Sequence, residues 1–237
     1  TNGIVIKIVN TGEADRILTV FTGTHGRLQA AAKGARRPKN KLMPGTQFLC
    51  YSDFVLFKGR TLYSVNSSEP IETFFELRND IVRLTHASYM ADLIFDSIQE
   101  EQPSQDIMSL LLNSLYLLMR NESDPMLLTA IIQFRLSAIE GAAPITDFCV
   151  ECNKPLDDGC SFCFSLENDG VTCCNRGISI SHSVFRAINQ ICNADSSKIY
   201  FLSIPKTDLT VIYDLSCKYI EKIAGKHFEI LDRIQEL

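Results

Sequence analysis

The hydrophobic period of this chain changes once, near Pro70, and the change restricts what each half can become. From Gly3 to Val65 the residues form short β-prone runs, GIVIKIV, RILTVFT, RLQAAA, FLCYSDFVLF and TLYSV, separated by NTGE, GTHG, a long basic stretch and KGR. Five strands in about 65 residues predict a small closed barrel. Beyond Pro70, Phe74, Leu77, Ile81 and Leu84, then Met90, Ile94 and Ile98, recur at helical spacing. The expected class is therefore α+β, with one domain over residues 1–75 and a helical one over 76–237. Ile4, Ile6 and Ile8 alternate with Lys7, yet the first strand is apolar on both faces, so a further element is expected to cover its outside.

The helices carry their own boundaries. Ser104 is placed to cap one. Asp124 and Pro125 supply an N-cap and a first-turn proline for the next, which Gly141 and Pro144 end. Asp208 is expected to cap the last long helix and Gly225 to terminate it. No apolar run reaches the roughly 18 residues of a membrane span. The opening TNGIVIKIVN lacks a basic segment followed by a leucine-rich core, so a cytoplasmic, reducing location is expected.

That location bears on nine cysteines, six of which crowd between Cys149 and Cys174. In a reducing compartment an odd, clustered set points to a metal site rather than to disulfides, leaving Cys50, Cys192 and Cys217 as buried small hydrophobes. An all-cysteine site is closed and structural, with zinc the expected ion. Which four residues hold it stays open. Cys149 and Cys152 in CVEC pair formally with Cys160 and Cys163 in CSFC, but only seven residues separate the two arms. Cys173 and Cys174 are adjacent, and neighbours in an extended strand point to opposite faces, so both reach one ion only if the chain turns there.

Charge is distributed as unevenly as sulfur. The net charge is −5, but Arg27, Lys33, Arg36, Arg37, Lys39 and Lys41 lie in one stretch with no Asp or Glu, and removing these six leaves −11. Each cation that neutralises a phosphate releases condensed counterion, so such a loop on a small barrel points to nucleic acid. Tyr51, Phe54, Phe57 and Tyr63 are candidates either to stack on bases or to fill the core. Catalytic signatures are missing: there is no GxSxG, HExxH, Walker loop or GxGxxG, and no two of the four histidines stand at ligand spacing. The expectation is a protein that is not an enzyme.

EADRILTVFT, the HGR turn, KGARRPKN, ASYMADLI, FCVEC and the closing KYIEKIAGKHFEIL occur in an order that resembles the bacterial recombination mediator family RecO, nearly end to end. The resemblance implies an N-terminal oligonucleotide-binding (OB) barrel followed by an α-helical domain with an inserted zinc finger over residues 149–176. It implies single- and double-stranded DNA binding and strand annealing. It also implies help, together with RecR, in loading RecA onto single strands coated by the single-stranded DNA-binding protein SSB, with no covalent catalysis. The family's DNA-contacting loop corresponds to Lys33, Arg36, Arg37, Lys39 and Lys41. Its contact with the acidic SSB tail falls on the helical domain, where Arg78, Arg83, Arg120 and Arg135 are candidate cations.

The family pattern also orders the cysteines: a CxxC pair, a hairpin with Phe-Ser and a glycine turn, then a second CxxC. Cys149, Cys152, Phe164-Ser165, Gly170 and Cys173 match it, while Arg176 stands where the fourth cysteine belongs. Cys174 is the expected substitute, with Cys163 and Cys160 as alternates. The competing reading is a zinc-ribbon interaction module whose basic loop meets an acidic protein surface instead of DNA.

Overall fold

The computed structural model describes residues 1–157, 159–196 and 198–235. Five strands close an OB-type barrel: β1 (Asn2–Thr11), β2 (Asp15–Thr22), β3 (Gly26–Ala32), β4 (Tyr51–Lys58) and β5 (Tyr63–Glu72), in the order β1-β2-β3-β5-β4. β3 and β5 run parallel and the other pairings are antiparallel. Val5, Leu18, Val20, Ala30, Ala32, Phe54 and Val65 fill the interior, with Ala35 plugging it from the loop after β3. Apolar burial of this kind contributes about 25 cal/mol per Å².

The two-faced first strand behaves as its composition demands. Ile4, Val5 and Ile6 are all buried, the register shifts between Val5 and Lys7, and helix α1 (Ile81–Ser97) packs against β1 from outside the barrel. α1 begins at the N-cap Asp80, whose carboxylate accepts from the Arg83 N–H at 3.1 Å. A one-turn 3-10 helix, Phe75–Asn79, precedes that cap and breaks the apolar stripe. The stripe's phase restarts there, which is why Ile81 is exposed while Leu77, Met90 and Ile94 are buried. Helix α2 (Gln105–Arg120) packs on α1 and β2, and its Ser104 hydroxyl accepts from the Ile107 N–H at 3.2 Å.

Two compact units result, Thr1–Arg120 and Asn121–Leu237. The first unit takes in α1 and α2 as well as the barrel.

In the second unit α3 (Pro125–Ile139) is buried on nearly every face between α4 (His182–Asn193) and α5 (Lys206–Ala224), as an all-round apolar helix must be. Asp124 caps α3 through the Met126 N–H at 2.8 Å, and Gly225, at φ 63°, ends α5. Asp208 is not the cap expected of it. Pro205 precedes the first turn of α5, and the Asp208 carboxylate instead accepts from the Ser181 and Ser183 hydroxyls at the start of α4. Those hydrogen bonds hold its carboxyl below the usual range.

Strands β6 (Phe162–Ser165), β7 (Gly170–Thr172) and β8 (Ile178–Ile180) form a small sheet in the order β7-β6-β8. Phe164 anchors it, with its ring 6.5 Å from Phe134 of α3 and 5.5 Å from Tyr219 of α5. A short helix, α6 (Glu229–Gln235), follows α5.

Candidate nucleic-acid interface and metal centre

The basic loop leaves the barrel directly after β3 and is held mainly by backbone groups, the Asn40 amide and the Asp15 carboxylate. Gly34, at φ 66°, donates its N–H to Asp15 Oδ1 at 2.6 Å. The Asn40 side chain donates to the Lys33 carbonyl at 3.2 Å and accepts from the Leu42 N–H at 2.8 Å. The Arg36 N–H donates to the Ala14 carbonyl at 2.9 Å, while buried Ala35 and half-buried Leu42 anchor the segment to the core. Lys33, Arg36, Arg37, Lys39 and Lys41 are all exposed, and among the described residues none of the five is ion-paired. Half-buried Arg16 lies beneath the loop, donating to the Thr46 carbonyl at 3.3 Å. Burial, then the Arg36 charge, lowers its pKa. Positive charge is concentrated here without internal neutralisation, an arrangement that attracts polyanions.

Arg27 stands apart from the five. Its guanidinium lies 4.6 Å from the Phe95 ring centre and donates to the Phe95 carbonyl near the end of α1. The four aromatics also separate. Phe54 belongs to the core, Tyr63 packs half-buried against it, Tyr51 is half-buried, and Phe57 is 61% exposed.

The second candidate site is built from two turns. Cys149 through Cys152 lie in a knuckle in which the Cys149 N–H donates to the Lys154 carbonyl at 2.8 Å and the Asn153 N–H to the Cys149 carbonyl at 2.9 Å. The second turn begins where β7 stops at Thr172. The Thr172 hydroxyl accepts from the Cys174 N–H at 3.0 Å, and Asn175 takes a left-handed φ of 54°. Cys173 and Cys174 therefore lie outside the extended strand, and both sulfurs reach one place. The thiol groups of Cys149, Cys152, Cys173 and Cys174 lie within 4.8 Å of one another and can hold a metal ion. Cys149 Sγ is 3.8 Å from Cys174 Sγ, and Cys152 Sγ is 3.7 Å from Cys173 Sγ. Cys160 sits by Asp157 and Cys163 is buried in β6, both outside the quartet.

The electrostatics of the quartet favour a cation. Burial alone pushes the Cys149 thiol up, but it is outweighed by the Thr172 hydroxyl and the N–H groups of Cys152, Cys173 and Glu151, which bring it down to about 5. Hydrogen bonding to Cys149 and Cys152, with burial and charge adding, pushes Cys173 up to about 12, and Cys174 is raised by Cys152, burial and Cys149. One thiolate forms readily, and further negative charge in the same space needs a positive ion. Thr172 was not distinguishable as a participant from its position beside Cys173, because its role depends on the turn. The three remaining cysteines are buried thiols, with Cys192 pushed up to about 12 and Cys217 to about 11, chiefly by burial.

Arg176, in place of the ordinary fourth ligand, is exposed and pairs with Glu151 at 3.8 Å. Gly177 follows it at φ 113°, where a Cβ would lie 2.3 Å from the Phe164 carbonyl oxygen, so the chain passes flat against β6 on its way into β8.

Comparison with known proteins matches residues 1–74 to the family model for the N-terminal part of recombination protein O and residues 78–229 to the model for its C-terminal part. The chain belongs to the RecO family. The DNA repair protein RecO of Acetivibrio thermocellus is 40% identical over 246 aligned residues, covering 100% of this chain and 96% of that protein. The RecO of Caldicellulosiruptor saccharolyticus is 35% identical, covering 97% and 95%, and that of Alkaliphilus metalliredigens 38%, covering 73% and 70%. In RecO terms, the barrel falls in the N-terminal part, whereas α1, α2 and the cysteine quartet fall in the C-terminal part. Among the described residues, no helix is long and apolar enough to cross a membrane.

Proposed function

We propose that this protein is a DNA-repair recombination mediator that binds single- and double-stranded DNA through its basic loop, anneals complementary strands and, with RecR, helps load RecA onto SSB-coated single strands. The observation that carries this reading is the set of five exposed cations, none of them ion-paired among the described residues, on a loop of a closed OB-type barrel in a chain of the RecO family. Lys33, Arg36, Arg37, Lys39 and Lys41 would neutralise phosphates without regard to sequence, weakening the repulsion that keeps two strands apart. No covalent step is required of the protein. The acidic tail of SSB would meet the helical part of the chain, and the setting is the cytoplasm, at the nucleoid.

The cysteine quartet supports zinc as its ion. A tetrahedral site with Zn–S bonds of about 2.3 Å has sulfur–sulfur edges of about 3.8 Å, close to the separations of 3.7 and 3.8 Å across the quartet. Cys149, Cys152, Cys173 and Cys174 would hold the ion, which supplies a cross-link between the knuckle and the turn after β7. The N–H groups pointing at Cys149 Sγ then act as the outer hydrogen bonds that orient a thiolate ligand.

A fluorescent-oligonucleotide titration tests the reading. The wild type should bind with an affinity that falls steeply with salt, and Arg36→Glu with Arg37→Glu should weaken binding by roughly a hundredfold at low salt. A double variant that binds like wild type would overturn the assignment of the loop. A wild type that binds no oligonucleotide would favour the interaction-module reading.

A further inference from the structure

The register of the barrel brings together residues that sequence spacing does not connect. Phe57 of β4 pairs with Ser64 of β5, Ser64 with Ala31 of β3, Ala31 with Ile17 of β2, and Ile17 with Val9 of β1. These five residues form one rung across all five strands, and cross-strand partners project to the same face. That face is the outside. Their chain neighbours Leu56, Val65, Ala30, Ala32, Leu18 and Ile8 belong to the interior, so the rung itself points away from it.

Val9 is 51% exposed and Phe57 61%, while Ala31 and Ile17 between them are half-buried. An outer strand face of a small barrel is ordinarily polar, and this rung is apolar at every position except Ser64. Its two sides differ. On one, Lys7, Thr19 and Gln29 form the neighbouring outward rung, Lys7 lies 4.1 Å from the Phe95 ring centre, and Gln29 donates to Glu100 at 3.0 Å, so that side is closed by α1 and the segment after it. On the other, Lys33 follows Ala31 by two residues and opens the basic loop.

We infer that this outer rung, with Phe57 as its aromatic member, is a base-stacking platform that gives the basic loop a contact with single-stranded DNA which duplex DNA cannot make. The inference rests on the reading of the loop as a DNA-binding surface. Charge complementarity selects the occupant. A strand whose phosphates follow Lys33, Arg36 and Arg37 carries its bases toward the apolar rung, and the far side is closed by α1 and the segment that carries Glu100. Unpaired bases have free faces to stack on an aromatic ring, whereas paired bases are stacked on each other. Ser64 and Ala31, small residues between Phe57 and Ile17, leave the ring edge and face accessible.

The test uses the full-length protein, an oligothymidine, a strand of the same length lacking bases, and a blunt duplex. Phe57→Ala should weaken oligothymidine binding about tenfold, change duplex and abasic-strand binding by less than about twofold, and leave the slope of log affinity against log salt as in wild type. Phe57→Tyr, which keeps the ring, should bind like wild type. If Phe57→Ala binds oligothymidine as wild type does, or loses affinity equally for all three probes, the platform is refuted. The reading of the loop then still stands if Arg36→Glu with Arg37→Glu weakens all three. Failure of the wild type to bind any probe would overturn both.

Discussion

The basic loop and the cysteine knuckle are both irregular segments ordered by short-range hydrogen bonds, yet they divide labour in opposite ways. In the loop most of the holding is done by Gly34, Ala35, Asn40 and Leu42, and of the five cationic side chains only Arg36 reaches the frame, through the Glu13 carbonyl at 3.3 Å. In the knuckle the reactive groups are themselves the fastening, because Cys149 Sγ is the point where the backbone of both turns converges. Function and stability are separable in the first segment and fused in the second. A charge is therefore expected to be replaceable in the loop without loss of fold, whereas removal of a quartet thiol is expected to cost structure.

The largest effect that tests this contrast is Cys149→Ala. Loss of a buried ligand to the proposed ion belongs among the few substitutions that cost about 4 kcal/mol or more, which lowers the melting midpoint of a chain of this size by roughly 10 °C. Metal analysis should show the ion gone, and DNA affinity measured below the new midpoint should stay within about twofold of wild type. A large fall in that affinity would break the separation. Next in size are single neutralisations of Lys33, Arg36, Arg37, Lys39 and Lys41 to Gln. Each should reduce the salt slope for single strands by about 0.7 and move the midpoint by no more than about 1 °C, read by titration at several salt concentrations and by thermal melting. Asn40→Ala should do what none of those five does, costing about 1 kcal/mol through its two lost backbone contacts and loosening the loop's grip on DNA as well.

A smaller and more pointed test concerns the fourth ligand. Cys174→Ser should weaken metal retention against a chelator, while Cys160→Ser and Cys163→Ala should leave the bound-metal ratio at wild type. Arg176→Cys added to Cys174→Ser should restore retention if the ordinary CxxC spacing can still be accommodated before Gly177. If Cys163→Ala loses metal as readily as Cys174→Ser, the quartet has the wrong membership.

Much of this architecture was legible from residue order, and the reasons are physical. Five strands could be read because turn chemistry separates them, although β5 runs on through Pro70 to Glu72, well past the Val65 end that its apolar run suggests, and the α3 boundaries because Asp124, Pro125 and Gly141 act on backbone groups next to them. What escaped depended on partners distant in sequence. Asp208 looks like a cap beside its own helix, but its carboxylate serves Ser181 and Ser183, 27 and 25 residues away. The basic loop was plain as charge, yet the apolar rung beside it exists only through pairing register, and Val9, Ile17 and Phe57 share no spacing that would mark them. Membership of the cysteine quartet turned on whether the chain bends at Cys173, which β7 ending at Thr172 decides.

The smallest effect concerns a cation unlike those of the loop. His227 Nε2 lies 2.8 Å from Asp232 Oδ2 and its Nδ1 2.7 Å from Glu221 Oε1, so one ring joins the end of α5 to α6 through two carboxylates. The hydrogen bond to Asp232, then the Glu221 charge, raises its pKa above the ordinary histidine value. A raised folded-state value means that the stabilisation is fully present below the unfolded value, near pH 6.5, and is lost as pH rises through the folded one. Thermal melts of wild type and His227→Gln should therefore differ most below about pH 6, by about 2 °C or less for so exposed a pair, and converge as the solution becomes alkaline. Over the same range DNA affinity should be the same for His227→Gln as for wild type, since His227 takes no part in the loop. A gap that widens with rising pH would show that the ring is held in its neutral form and that the two carboxylates do not share a proton-bearing partner.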